Sequence, residues 1–253
     1  MSRRDDINKL YKPSKTLEKM RVGLFSADVA ISIIAACVGG DVISYLTIAL
    51  VVIGFLYMVV SVIDDGIMWF QAESARRKNS IQVAYGIRLD KYETQEYYNN
   101  NVSDSDLSYA ANQFESVFFT KEISEKMLLS SVVKLIIAVV ILIITCRFVA
   151  NDDILLIIAQ TSFSALVIED AIRLIIFTQR IKALYAEAYH EFITVGISTA
   201  SQIVWLKFFC IEYESIKAHY RIRLSESIFK KLNPELSAEW DVLSEQIKID
   251  SGQ

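Results

Sequence analysis

The sequence predicts an all-α membrane protein with four transmembrane helices, arranged as two hairpins, and a small cytoplasmic helical domain. Three observations predict this class. The 253 residues are 53% hydrophobic with a mean hydropathy of +0.34, whereas soluble domains are about 45–50% apolar. The apolar residues are concentrated in two blocks, 22–63 and 132–178. Only two prolines and eight glycines interrupt the chain, so helix should dominate.

Each apolar block contains two runs that approach the length of a membrane span. About 20 apolar residues cross a bilayer core of about 30 Å. The turns between runs are Gly39-Gly40-Asp41 and Asn151-Asp152-Asp153. Residues 135–144 are apolar on every helical face, which favours lipid over the alternative of buried hairpins in a soluble core. The four runs are 22–38, 42–63, 132–150 and 154–178.

The distribution of cations predicts the orientation, because short cytoplasmic segments carry excess Lys and Arg. Seven Lys and Arg residues precede the first run, whereas the charged residues of the two turns are all acidic: Asp41, Asp152 and Asp153. Both turns should therefore face out, with the N- and C-termini in the cytoplasm. No Ala-x-Ala-like cleavage site follows the first run, so it should remain as an anchor. The predicted segments are a cytoplasmic N-terminal segment (1–21), hairpin 1 (22–63), a cytoplasmic insert (64–131), hairpin 2 (132–178) and a cytoplasmic helical C-terminal region (179–253).

Ionisable residues in or beside the apolar runs predict a polar layer at one depth near the cytoplasmic interface. Glu169 and Arg173 are four residues apart, which permits an ion pair, and Arg173 should lie level with Asp28. Charges in hydrocarbon normally face a protein interior or a water-filled cavity. Two interpretations stay open: a salt-bridge layer that locks the helices, and a polar ring that gates a pathway through assembled protomers. The layer comprises Asp28, Asp64, Asp65, Glu169, Asp170 and Arg173.

The insert interleaves basic residues with tyrosines, a set that suits an anionic ligand with flat bases through phosphate contacts and stacking. Basic residues directly after a span are also expected from membrane topology alone. Ser103 or Asp104 should cap a helix that extends to Met127. The candidate nucleotide-binding set comprises the basic residues and tyrosines Arg76, Arg77, Lys78, Tyr85, Arg88, Tyr97 and Tyr98.

The C-terminal region should be helical over 179–232, with a break at Gly196. Pro234 should end the second helix before a last short helix over 235–249. Apolar stripes along these helices are expected to pack against the 104–127 helix in a small cytoplasmic domain. A self-association surface is the alternative interpretation of the stripes.

The sequence contains no motif for catalysis: no glycine-rich phosphate loop, no Gly-x-Ser-x-Gly and no His-Glu-x-x-His. We therefore expect no enzyme, no metal site and no cofactor. A net charge of −4 argues against a nucleic-acid partner. The cysteines Cys37, Cys146 and Cys210 are expected to be buried, unreacted thiols, although Cys37 and Cys146 fall near the outer ends of their spans, where they could approach each other.

Two segments carry a family resemblance: Ala72-Glu-Ser-Ala-Arg-Arg-Lys-Asn-Ser-Ile-Gln82 and Tyr220-Arg-Ile-Arg-Leu-Ser-Glu-Ser-Ile-Phe229. With the paired hairpins, they resemble the four-transmembrane effectors of bacterial antiphage systems that accompany nucleotide-second-messenger synthases of the SMODS type. The resemblance implies a homo-oligomer in the bacterial inner (plasma) membrane that permeabilises the lipid bilayer when a cyclic nucleotide acts on its cytoplasmic domain. The alternative function is a non-catalytic membrane scaffold or accessory subunit that recruits a cytoplasmic partner.

Overall fold

The computed structural model describes residues 6–38, 42–92, 94, 104–148 and 154–247. Every regular element in these ranges is helical, which confirms the all-α prediction for this part of the chain. One helical segment there, Val42–Tyr85, is long and apolar enough to cross a membrane. Both predicted hairpin turns lie outside the described residues.

The regular elements of the described residues are seven α-helices, one 3-10 helix and two π-helical turns. The first π-helical turn joins two helices without a break, and the second follows the end of α5. In chain order they are a 3-10 helix (Ile7–Tyr11), α1 (Lys12–Cys37), α2 (Val42–Ile63), a π-helical turn (Asp64–Met68), α3 (Trp69–Tyr85), α4 (Ser105–Phe148), α5 (Ile154–Tyr189), a π-helical turn (His190–Val195), α6 (Ala200–Tyr220) and α7 (Glu226–Ser244).

The chain forms two compact units. Unit 1 comprises Met1–Asp6, Ala75–Ser130 and Arg173–Gln253, and unit 2 comprises Ile7–Ser74 and Ser131–Ile172. The helices α3, α4 and α5 therefore contribute residues to both units.

Unit 2 packs four helices around Tyr57. This α2 side chain meets Ala138 of α4 and Val167 of α5, with Leu24 and Phe25 of α1 beside them. A second cluster joins Ala35 and Ile31 of α1 to Leu50 and Leu46 of α2. The inward positions repeat every seven residues, which is the spacing of helices that pack nearly parallel or antiparallel. They are Ser14, Arg21, Asp28 and Ala35 on α1, Leu50 and Tyr57 on α2, and Asp64 at the start of the π-helical turn that follows α2.

The outward faces of unit 2 are apolar. Large hydrophobic side chains at 45, 48, 51, 52 and 55 are exposed along one face of α2. Only 22% of the most apolar stretch of the Val42–Tyr85 segment is buried, whereas the core helix of a soluble protein is mostly buried. On α4, exposed hydrophobic residues continue through 133, 136, 140 and 143. Contiguous exposed apolar surfaces of this kind mark membrane or protein interfaces.

Unit 1 has an aromatic core centred on Phe114 of α4. The Phe114 ring stacks on Phe192 with centroids 5.0 Å apart and meets the edge of Trp240 at 5.4 Å. Phe209 of α6 joins the same cluster, 6.3 Å from Phe192. The predicted packing of the C-terminal helices against the start of α4 is thereby confirmed.

Local signals define several helix ends in unit 1. Asp104 caps α4, because its carboxylate accepts the N–H of Leu107 at 2.9 Å. The predicted break at Gly196 is confirmed, since this glycine adopts a left-handed conformation with φ 86°. Thr199 and Gln202 then form a reciprocal capping box that starts α6.

The prediction that Pro234 ends a helix running to 232 was wrong. The helix α6 ends at Tyr220, because Arg221 turns left-handed (φ 51°) and donates its N–H to the carbonyl of Lys217. Ser225 then caps α7, and Pro234 lies inside that helix. Proline removes one backbone hydrogen bond there, and burial of Leu236 and Trp240 on the following turns offsets this loss.

Candidate functional site: the polar cluster of unit 2

Three side chains from three helices form a hydrogen-bonded triad inside unit 2. The Nη2 of Arg21 (α1) donates to Oδ2 of Asp170 (α5) at 2.6 Å and to the hydroxyl of Tyr57 (α2) at 3.2 Å. The Tyr57 hydroxyl donates in turn to the same Asp170 oxygen at 3.1 Å. The Arg21 guanidinium also lies 5.2 Å from the centroid of the Tyr57 ring, a cation–π distance.

The triad connects α1, α2 and α5 through charge-assisted hydrogen bonds, which are about twice as strong as neutral ones. The Arg21 and Asp170 side chains are 20% and 37% exposed, so the pair is neither fully buried nor free in solution. Asp65 adds to the negative potential at Arg21. Acidic side chains therefore surround Arg21 in this cluster.

Asp28 lies seven residues after Arg21 on the same face of α1, which corresponds to about 10 Å along the helix axis. It is 2% exposed. The Ser32 hydroxyl donates to the main-chain oxygen of Asp28 at 2.6 Å. No lysine, arginine or histidine of the described residues lies within ion-pair distance of the Asp28 carboxyl group. Asp28 is thus a buried acidic group that forms no ion pair with a cation in the described part of the chain.

The fully buried Asp64 begins the π-helical turn that follows α2. Such turns insert one residue into the helical repeat and recur at functional sites. Asp64 shares its face of the helix with Tyr57, seven residues earlier. The predicted layer therefore coincides with an irregularity in the helix itself.

The structure shows an ion pair in the predicted layer that the sequence did not suggest, between Asp170 and Arg21. The sequence spacing predicted a pair between Glu169 and Arg173. Because Glu169 and Arg173 fall in different units, their pair and the alignment of Arg173 with Asp28 stay predictions. Arg21 and Tyr57 were not predicted as site residues. Arg21 precedes Asp28 by seven residues, and Tyr57 precedes Asp64 by seven. This spacing places each pair on one helix face and could have identified them.

The described basic insert residues make contacts within unit 1. Arg77 Nε lies 3.5 Å from Glu214 Oε2, and Lys78 Nζ lies 3.4 Å from Asp90 Oδ2. Lys78 and Arg88 are brought together at Asp90, since Arg88 Nε donates to its main-chain oxygen at 3.4 Å. Arg76 is half-buried, and Tyr97 and Tyr98 lie outside the described residues. An anionic ligand at Arg77 or Lys78 would have to compete with a carboxylate.

Tyr85 belongs to a second polar group in unit 1. Its hydroxyl donates to Asp106, and Lys207 Nζ lies 3.1 Å from the other Asp106 oxygen. The Tyr85 hydrogen bond, followed by Lys207, lowers the pKa of the Asp106 carboxyl group below its usual value. The nearby Cys210 is a free, buried thiol as predicted, and burial raises its pKa to about 12. The other two cysteine side chains lie outside the described residues.

The lowered pKa of Asp106 predicts a pH-dependent contribution to the stability of unit 1. A depressed folded-state pKa stabilises the fold above the unfolded value of about 4 and loses this effect as pH falls through the folded value. We expect Asp106→Asn to lower the thermal midpoint at pH 7. The deficit relative to the native chain should shrink as pH falls below about 4.

Thermal unfolding of both chains in detergent across this pH range measures the difference. Asp241→Asn, at an exposed α7 position, is the matched control and should change the midpoint little at any pH. A deficit for Asp106→Asn that persists unchanged at pH 2 would contradict the assignment.

Comparison of the chain with protein families, with curated proteins and with solved structures finds no match.

Proposed function

We propose that this protein is a membrane effector of antiphage defence that permeabilises the bacterial inner membrane when a cyclic nucleotide or related infection signal acts on its cytoplasmic domain. In this proposal the chain spans the membrane four times with both termini in the cytoplasm, and it acts as a homo-oligomer without enzyme activity. The polar cluster inside the apolar exterior of unit 2 is the observation that carries it.

The apolar faces of unit 2 support the membrane part of the proposal. The four helices that pack around Tyr57 in this unit are α1, α2, the second part of α4 and the first part of α5. Each contains all or most of one of the four apolar runs. In lipid, every backbone polar group must be satisfied within its own segment, and α-helices meet this condition. The exposed apolar side chains of α2 and α4 are suited to contact the hydrocarbon core of a bilayer.

The chemistry of the cluster supports permeabilisation. Ionisable groups within membrane segments are costly, and they commonly mark ion pathways or water-filled cavities. The Arg21–Asp170 pair alone would suit a structural lock. Asp28 does not suit such a lock, because no cation of the described residues neutralises it. A buried carboxyl group two turns beyond the pair is better suited to line a polar path through the helices.

The contacts of the basic insert residues support control by an anion. Arg77 and Lys78 are held by Glu214 and Asp90 in the structure. A ligand with several phosphates could exchange with these carboxylates and so change the contacts of α3 with its neighbours in unit 1. Cyclic nucleotides have this chemistry, and the family resemblance points to the same class of ligand.

A second candidate function is a membrane scaffold that recruits a cytoplasmic partner. It is favoured by the exposed apolar face of α6, which includes Val204, Phe208 and Ile211. The two functions differ in one measurable property, since a scaffold leaves the bilayer intact.

Dye release from proteoliposomes tests the effector function. Purified protein is reconstituted into bacterial polar-lipid vesicles loaded with self-quenched carboxyfluorescein. Cyclic di-AMP, cyclic GMP-AMP and cyclic tri-AMP are then added separately. We expect at least one of them to trigger release, with no release from protein-free vesicles. Because Arg77 and Lys78 are proposed to meet the phosphates, Arg77→Gln/Lys78→Gln should weaken the response.

Membrane topology is the control for this experiment. Cysteines placed at positions 41 and 152, in an otherwise cysteine-free chain, should react with an impermeant maleimide from outside intact cells. Val242→Cys on α7 should react only after lysis. Labelling in this pattern without dye release for any cyclic nucleotide would favour the scaffold. Labelling of 242 in intact cells would overturn the proposed orientation.

A further inference from the structure

The helix α6 is apolar on two opposite faces. One face, with Leu206, Phe209 and Tyr213, is buried in the core of unit 1. On the other face Val204, Phe208 and Ile211 are 68%, 53% and 66% exposed. Isolated exposed hydrophobic residues are normal on a protein surface, but three on adjacent turns of one helix form a patch.

The exposed face has the spacing of a coiled-coil seam. Its residues alternate three and four positions apart over the whole helix, which is the a/d pattern of a heptad repeat. The large side chains occupy the middle and small ones the ends. We call the following residues the α6 seam: Ser201, Val204, Phe208, Ile211, Ser215 and Ala218, all of them exposed.

Two charges beside the seam indicate what covers it. Lys207 precedes Phe208 at a g position, and Glu212 follows Ile211 at an e position. The Lys207 side chain is 63% exposed even with Asp106 at 3.1 Å. No cation of the described residues forms an ion pair with Glu212. Charges at e and g positions set partner choice and orientation in coiled coils.

We propose that α6 pairs in parallel with α6 of a second copy of this chain through the α6 seam. In a parallel pair, Lys207 of each copy faces Glu212 of the other, so two ion pairs flank the contacts of Phe208 and Ile211. In an antiparallel pair, Lys207 of one copy and Glu212 of the other would lie on opposite sides of the seam. The charge pattern therefore favours the parallel arrangement and a partner identical to the chain itself.

This pairing names the surface through which copies of the proposed homo-oligomer meet, and in that respect it rests on the proposed function. Only three of the six α6 seam residues are large and apolar, so the pairing surface is small. Confinement to one membrane raises the effective concentration of the copies, so a weak helix pair suffices. The same pairing would operate in a scaffold, because it requires no leak.

Disulfide cross-linking tests the pairing in the full chain. The three native cysteines are changed to alanine, and Val204→Cys and Ile211→Cys are introduced one at a time. Membranes without any added nucleotide are oxidised with copper phenanthroline. Each variant should form covalent dimers with itself, because equivalent d positions meet in a parallel pair. Val242→Cys, an exposed α7 position of the same residue type, should stay monomeric.

Disruption of the seam provides the second measurement. Phe208→Glu in the Ile211→Cys background should reduce the initial cross-linking rate about tenfold, since a central aromatic residue carries much of the energy of an interface. Val242→Glu is the matched control and should leave the rate unchanged. If Phe208→Glu fails to fold, Glu212→Lys makes the same test, because Lys207 would then face a like charge.

Three results would overturn the proposal. Val242→Cys could cross-link as fast as Ile211→Cys, which would indicate random collision. Val204→Cys could cross-link only when mixed with Ser215→Cys, which would indicate antiparallel helices. Cross-linking could also survive both Phe208→Glu and Glu212→Lys. Loss of dye release with retained cross-linking would leave the pairing intact and remove only the effector function.

Discussion

Asp170→Asn is expected to raise the rate of dye leak from proteoliposomes about tenfold without any added nucleotide. The Asp170 carboxylate accepts hydrogen bonds from both Arg21 and Tyr57. Hydrogen bonds to charged groups contribute about 1.5–3 kcal/mol, and the lower end applies because the Asp170 side chain is 37% exposed. If the triad holds a closed state, this loss shifts the equilibrium toward the open state by about tenfold.

A double-mutant cycle gives this prediction its control. Arg21→Gln should cause a leak of similar size, and the double variant should leak no more than either single variant, because both remove the same interaction. Tyr57→Phe should have a smaller effect. Asp241→Asn on α7, at an exposed position in unit 1, should leave the resting leak unchanged. Destabilised protein in intact, non-leaking vesicles would show instead that the triad is a structural lock.

Phe114→Ala is expected to lower the free energy of unfolding of unit 1 by about 3–5 kcal/mol. The Phe114 side chain is fully buried and contacts rings from α5, α7 and the π-helical turn. Its removal leaves a cavity that these rigid rings cannot readily close. Urea unfolding in detergent, followed by tryptophan fluorescence, measures the change, since the Trp240 ring lies 5.4 Å from Phe114.

Two variants control for nonspecific effects. Phe114→Leu conserves most of the volume and should cost less than about 1.5 kcal/mol. Val242→Ala, at an exposed position, should change stability by less than about 0.5 kcal/mol. A loss of similar size for Phe114→Ala and Val242→Ala would contradict the central position of Phe114 in the core.

Much of the helical structure was predictable from local signals. The Asp104 cap, the break at Gly196 and the apolar stripes of α5 and α6 each depend on residues within one or two turns. The prediction that Pro234 ends a helix failed because it used local signals alone. The backbone hydrogen bond lost at Pro234 is offset by the burial of Trp240, which packs against Phe114, 126 positions earlier in the sequence. No local pattern contains that contact.

The polar cluster was predictable only in part. Hydropathy and spacing identified Asp28, Asp64 and Asp170 as ionisable groups beside apolar runs. They did not identify the partners, because Arg21 and Tyr57 lie 149 and 113 positions from Asp170. A carboxylate pairs with the cation that helix packing brings within reach, and sequence spacing orders only the neighbours on the same helix.

The sequence by itself determined that this protein is helical and which helix faces are apolar, because periodicity and capping act over a few residues. It also determined that acidic groups lie within those apolar segments. The tertiary structure decided which charges meet: Asp170 with Arg21, Arg77 with Glu214, and Asp28 with no cation of the described residues. These choices depend on contacts between distant helices, and the energy of an ion pair depends on distances that only packing sets.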